Sequence, residues 1–154
     1  MKRFRFRLQK SLDLKQQQEE MQRLMVADAQ AVYEEELRKL EAIDGEIADL
    51  IRYGAALRQR PLDIELLLAA ESYHSFLSGQ RVSQAAVAES ALERLTDERE
   101  KLLVFQKDRK LLQRLREKRW QGYYHDFLQE EQKNHDEAGI LRFGVRGSRI
   151  EVGG

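Results

Sequence analysis

Cysteine is absent from this 154-residue chain, and proline occurs once, at Pro61. Without cysteine there is no disulfide scaffold and no thiolate zinc site, a usage that fits a reducing cytosol. No apolar run approaches the roughly 20 residues that span a bilayer. The N-terminus also lacks the uninterrupted apolar core of a signal peptide, so a soluble protein is expected. An excess of charge of one sign is missing as well, because 27 basic and 27 acidic side chains cancel. A protein held mainly by phosphate contacts is usually strongly basic, which disfavours wholesale nucleic-acid wrapping.

What is present is helix-forming. Charged residues make up 35% of the chain and aromatics only 8%. The rest is crowded with Glu, Gln, Leu, Arg, Ala and Lys, the strong helix formers, a composition that marks coiled coils and long helices. From about residue 4 to 58 only Gly45 and Gly54 weaken a helix, each by about 1 kcal/mol. Leu40, Ile43, Ile47, Leu50, Gly54 and Leu57 recur at steps of three and four, a heptad a/d seam. Glu34 with Arg38, and Glu35 with Lys39, are acid-before-base pairs at i,i+4. Earlier in the same register Lys15, Glu19 and Gln22 fall where apolar groups are wanted, which predicts a weak or shifted seam.

Pro61 ends this first helix, because the residue before a proline is pushed out of the helical region. A turn is expected at about residues 59–62, and a second helix from about 62, with Asp63 and Glu65 suited to its N-terminus. Its stripe runs through Leu92, Leu95, Leu102, Phe105, Leu112 and Leu115, and its signals stop near residue 138. Ser78-Gly79 is the place for a kink. The tail, residues 139–154, holds five of the nine glycines and reads as a flexible extension with a short extended segment at 149–152. The expected fold is all-α: a long antiparallel two-helix coiled-coil hairpin forming one domain over residues 1–138, with a flexible Gly-rich C-terminal tail.

A first helix of about 50 residues is roughly 75 Å long. Pairing from a turn at Pro61 sets Phe4 opposite about residue 118, so Trp120, Tyr123, Tyr124 and Phe127 overhang and become anchors for another protein. The competing arrangement makes 62–78 a separate cap helix and lays the basic N-terminus beside acidic 126–137. The opening MKRFRFRLQK alternates at the period of a strand, with Phe4, Phe6 and Leu8 between arginines. Phe4, Leu8 and Leu12 also form a helix stripe, which is the reading preferred, with Phe6 pointing off it towards a partner or solvent. Tyr73, Phe76 and Leu77 share one helical face near the hinge, as core packing or as a docking patch. Residues 107–119 carry seven basic side chains, read as a solvated flank or as a contact for an acidic partner.

No chemistry is legible. His74, His125 and His135 are not spaced as metal ligands, and exposed polar positions are the default for them. No nucleophile–base set can be argued, and the glycines of GILRFGVRG precede no phosphate-loop Lys-Ser/Thr. Neither an enzyme nor a cofactor is expected.

Two stretches carry a resemblance. FRFRLQKSLDLKQQQEE near the start, and LREKRWQGYYHDFLQEEQKNHDEAG near the end, resemble the two ends of the flagellar export-apparatus FliJ family, in the right order and at the right separation, over about residues 3–138. The tail after Gly139 does not match that pattern. The resemblance implies a cytoplasmic antiparallel coiled coil, peripheral at the inner face of the inner membrane, that serves flagellum biogenesis and motility. It implies a stalk-like regulator of the hexameric type III export ATPase, associated with the membrane export gate and with export chaperones. Carried over by position, Phe4, Phe6, Leu8, Arg116, Trp120, Tyr123, Tyr124 and Phe127 would engage the ATPase, and Tyr73, Phe76 and Leu77 the gate. The readings that compete are a generic structural or chaperone coiled coil, and a basic-ended binder of nucleic acid or anionic membranes using residues 2–7 and 107–119.

Overall fold

The computed structural model describes residues 3–147. Within them the chain forms two helices, α1 (Gln9–Arg58, 50 residues) and α2 (Ile64–Gly147, 84 residues), and no strand. The fold is the expected all-α helical hairpin. Contacts divide it into two compact units: Gln17–Gln106, which contains the turn, and Met1–Gln16 with Lys107–Gly154.

The turn follows from proline and aspartate chemistry. Approaching Pro61, α1 tightens its last bonds: the N–H groups of Gln59 and Arg60 donate to the carbonyls of Ala56 and Leu57 at 3.2 and 3.3 Å, three residues back. Asp63 then caps α2, its Oδ1 accepting from the N–H of Glu65 at 3.1 Å and of Leu66 at 3.3 Å. These bonds satisfy amide donors that a helix N-terminus leaves open. The helix begins at Ile64 and passes through Ser78 and Gly79 unbroken, so the separate cap helix does not form. Gly79 has nothing within 4 Å of the place a Cβ would take. It is an ordinary helical residue without a packing reason to be glycine.

In the unit that holds the turn, α1 keeps one seam face. Leu40, Ile43, Ile47, Leu50, Gly54 and Leu57 are half-buried among exposed neighbours, as the heptad pattern requires. The same 3-4 spacing runs back without a shift through Glu36, Tyr33, Ala29, Val26 and Gln22 to Glu19. The expected shift is therefore corrected. Polar residues occupy seam positions in register, with Glu19 3% and Gln22 5% exposed. They are tolerated because they are paired. Glu19 accepts from Arg23 Nη2 at 2.6 Å on its own helix. Gln22 Nε2 reaches across to α2, donating to the Glu98 carbonyl at 3.0 Å and to its Oε2. Two heptads along, the roles reverse: Gln84 Nε2 of α2 donates to the Glu36 carbonyl at 3.1 Å and to its carboxylate. The buried Ala29 and Ala88 belong to the stretch between these two clasps.

On α2 the seam runs through Leu67, Ala70, His74, Leu77, Gln84, Ala88, Ala91, Leu95 and Glu98. Leu77 and Leu95 are 1% exposed, whereas Leu92 is 40% exposed. Ala91 holds the seam position, which corrects the expected stripe at Leu92. The ion pairs YEEELRKLE suggested form one residue closer than expected: Arg38 meets Glu35 at 2.8 Å and Lys39 meets Glu36 at 2.9 Å, both at i,i+3. Glu34 instead accepts from Gln30.

In the other unit Leu12 is 1% exposed, and Lys15 Nζ lies 3.0 Å from Asp108 Oδ2 of α2. There Leu112 and Leu115 of the expected stripe are half-buried. Two boundaries differ from expectation. Helix α1 starts at Gln9 and not near Phe4, and α2 continues to Gly147, well past residue 138. The first nine residues of the expected tail are thus helical, and the extended segment at 149–152 lies outside the described residues.

Two measurements test these readings. Gly79→Ala is expected to stabilise the protein by about 1 kcal/mol, through helix propensity alone, and a chemical denaturation midpoint that falls would show Gly79 to be required. The carboxyls of Glu36 and Glu98 are held below their ordinary value of 4.5, first by the hydrogen bonds from Gln84 and Gln22, then by those from Lys39 and Lys101. A carboxyl with a lowered folded-state pKa contributes stability above its unfolded value and loses it as pH falls through the folded one. Thermal melts should therefore fall from about pH 5 downward, and the drop should be shallower in the Gln22→Ala/Gln84→Ala protein. Equal slopes in the two proteins would remove the clasps as its cause.

Candidate functional site

The opening segment meets α2 as extended chain. Residues 3–6 are non-helical, a turn covers 7–8, and exposure alternates: Arg3, Arg5 and Arg7 outside, Phe4 half-buried, Phe6 buried at 9%. This is the period-2 pattern, and it corrects the preferred helical stripe. Phe6 faces inward, not towards a partner, and Leu8 is the exposed one at 40%. The helix does not extend back over these residues, since its first turn has no acidic residue to offset the arginines before it. Burial of Phe6 favours the extended path instead.

That path sets Phe4 on the aromatic stretch of α2. Its ring stands edge-on to Trp120, centroids 5.2 Å apart at 80°, and 5.5 Å from Tyr123. From Trp120 the rings continue along the helix surface. Trp120 and Tyr124 stack at 6.3 Å, Tyr124 and Phe127 at 6.4 Å, and Trp120 and Tyr123 lie 5.7 Å apart. The spacing of three and four residues brings these rings to one side of the helix. Trp120 and Tyr124 remain 48% and 50% exposed. So the aromatics are not a bare overhang: Phe4 covers one end of the ladder and leaves the rest open. The contact at 120–123 falls close to the expected residue 118 and not on acidic 126–137.

Beside the ladder lie two shallow grooves. One is lined by Phe4, Gln113, Arg116, Glu117 and Trp120, the other by Arg3, Phe4, Arg5, Phe6, Arg7 and Arg116. Four arginines thus line a groove beside the aromatic surface. Of the seven basic residues in 107–119 all but Arg109 are exposed, and Arg109 donates to Gln113 at 2.8 Å. An acidic, partly apolar protein surface is what such a combination recognises.

The patch near the turn belongs to the other unit. Tyr73 and Phe76 stack at 6.2 Å and are 47% and 57% exposed. The Tyr73 hydroxyl donates to Glu46 Oε2 at 3.1 Å, which together with the carboxylate charge raises the tyrosine's pKa. Leu77 is not part of this surface. It sits in the seam at 1% exposure and cannot reach a partner while the helices are paired. The α2 heptad count through Leu67, Ala70 and His74 places Leu77 at the next seam position, a signal that a search for clustered aromatics passes over. His74, expected to be exposed, is half-buried in the same row. His125 bonds Gln129 at 3.0 Å. Among the described residues no group of three His, Cys, Asp or Glu side chains could hold a metal ion, and no helix is long and apolar enough to cross a membrane.

The family model of the Flagellar FliJ protein matches residues 4–148. The match takes in the Phe4 contact, both aromatic patches and the helical part of the tail, ten residues beyond the resemblance seen by eye. No curated protein and no solved structure matches the chain.

Phe4→Ala is expected to cost about 1 kcal/mol, the value of an edge-to-face pair. Trp120 is the only tryptophan, so its emission should shift to the red as the ring loses its cover. Unchanged emission would mean that Phe4 does not rest on Trp120 in solution.

Proposed function

The chain belongs to the FliJ family, components of the flagellar protein export apparatus, and from that premise we propose that it is a non-enzymatic stalk for the hexameric export ATPase. The observation that carries this reading is the ladder Trp120, Tyr124 and Phe127, its first two rings half-exposed, beside a groove lined by Arg3, Arg5, Arg7 and Arg116. Large rings held in one orientation, next to cations, are the residue types that dominate protein interfaces. Phe6 is buried within the opening segment and Leu8 is exposed next to it, and Tyr123 supports the ladder through Phe4. A stalk carries no nucleotide chemistry. It acts by linkage: preferring one state of the ring's subunits, it shifts their equilibrium by its differential affinity and by no more.

Contact with the membrane export gate is assigned to the Tyr73–Phe76 stack, without Leu77. Export chaperones would meet the same rod, and these contacts would hold the protein at the cytoplasmic face of the inner membrane. No nucleic acid is required.

The test is a binding titration of the intact protein against the flagellar export ATPase, read together with ATP hydrolysis. Trp120→Ala/Tyr124→Ala should weaken binding by about 30-fold or more, the effect of losing a 2 kcal/mol hot spot. It should also abolish any stimulation of hydrolysis. Both positions are half-exposed, so the helices should stay intact by circular dichroism. A variant that binds and stimulates like the unaltered protein would eliminate the proposal.

A further inference from the structure

The last described turns of α2 have a character of their own. Ile140, Leu141 and Phe143 are 71%, 69% and 77% exposed, higher than the aromatic ladder itself. Successive residues lie 100° apart around a helix, so these three side chains spread over an arc of about 160°. No carboxylate occurs from residue 138 to 150, and arginines stand at 142, 146 and 149. Arg142 stands on the opposite face, about 180° from the middle of the apolar arc, and Arg146 follows it by four residues. Upstream the balance is opposite, with Asp126, Glu130, Glu131, Asp136 and Glu137 against a single Lys133. Charge changes sign at the point where exposed apolar side chains begin.

We propose that residues 138–147 are an interfacial helix that lies in the headgroup region of an anionic lipid surface. A wide apolar arc on one face and arginine on the other suit a planar apolar medium with a negative surface. The acidic turns before it confine the contact to this terminal stretch, because an anionic surface repels them. A second copy of the chain fits less well. Three side chains are far short of the roughly 1,200 Å² that a stable interface buries. Gly139 and Gly144 have open space where a side chain would sit, and as glycines they make this helix weak by propensity. Binding at an interface would strengthen it. The inference deepens the stalk reading by giving the protein its own foothold on the membrane, independent of any gate contact.

Full-length protein is sedimented with vesicles of phosphatidylcholine alone, and with vesicles containing about one third phosphatidylglycerol. Pelleting is expected with the anionic vesicles only, and it should decline as salt rises. Ile140→Gln/Phe143→Gln should abolish it, and Arg142→Gln/Arg146→Gln should weaken it on the order of fivefold per arginine. Ile140, Arg142 and Phe143 are exposed, so helix content should not change. Absence of pelleting overturns the inference, as does pelleting that survives both double variants, which would place the lipid contact in residues 3–7 or 107–119. Self-association lost in the apolar variant, without lipid binding, would give the surface to a second copy instead. ATPase binding, measured in parallel, should be unaffected by all four substitutions, so the two readings fail separately.

Discussion

The unit around the turn depends on two side chains, Gln22 and Gln84, each of which spends its amide donors on the opposite helix. A seam of half-buried leucine, isoleucine and alanine repeated every three or four residues does not by itself choose a register, since a slip of one heptad buries similar groups. The glutamines do choose. Moved by seven residues, Gln22 would face Ala91 or Phe105 where it now meets Glu98, and Gln84 would face Ala29 or Ile43 where it now meets Glu36. Each slip would leave buried polar atoms without partners, at about 1–3 kcal/mol apiece. The two clasps run in opposite directions, one donated by α1 and one by α2, so they resist sliding either way. In the other unit Lys15 with Asp108 makes a comparable cross-helix pair.

This is also where a reading of the sequence falls short. Sequence pattern identified the end of the first helix, the turn at Pro61, the seam from Leu40 to Leu57 and Asp63 as a residue suited to the start of the second helix, because each depends on local chemistry. Lys15, Glu19 and Gln22 looked like a break in the seam because hydrophobic pattern is blind to a partner 76 residues away. Hydrophobic pattern selects Leu92 over Ala91 because leucine is the more apolar. In a seam held by clasps, a small side chain serves equally well. The continuation of α2 beyond residue 138 was hidden by glycines, whose cost of about 1 kcal/mol each lowers helix propensity without forbidding the helix.

The opening segment shows the opposite failure. Two periods fit the same residues, and the helical one was preferred because Leu12 and Leu8 extended it. Extended chain advances about 3.3 Å per residue against 1.5 Å in a helix, so it brings Phe4 and Phe6 to positions a helix would not. The gain is local: Phe6 is buried, Phe4 meets two rings, and the arginines stay in water. Of the residues singled out as a site, the structure gathers Phe4, Arg116, Trp120 and Tyr123 in one place. It withdraws Phe6 and Leu77 into cores.

Covering a ladder at one end has a consequence for recognition. An exposed tryptophan samples several rotamers, and fixing it on binding forfeits side-chain entropy of about 0.5–1.5 kcal/mol. Trp120 already has Phe4 against its edge and Tyr124 stacked beside it, so most of that ordering is done when the chain folds. Half of its surface is still open. A flat solvated helix with the same composition would present the same atoms to a partner but bind it less tightly. In the proposed binding, the N-terminal residues would therefore act by holding a ring still. Their arginines, kept outside by the same alternation, supply the charge that such a ring lacks.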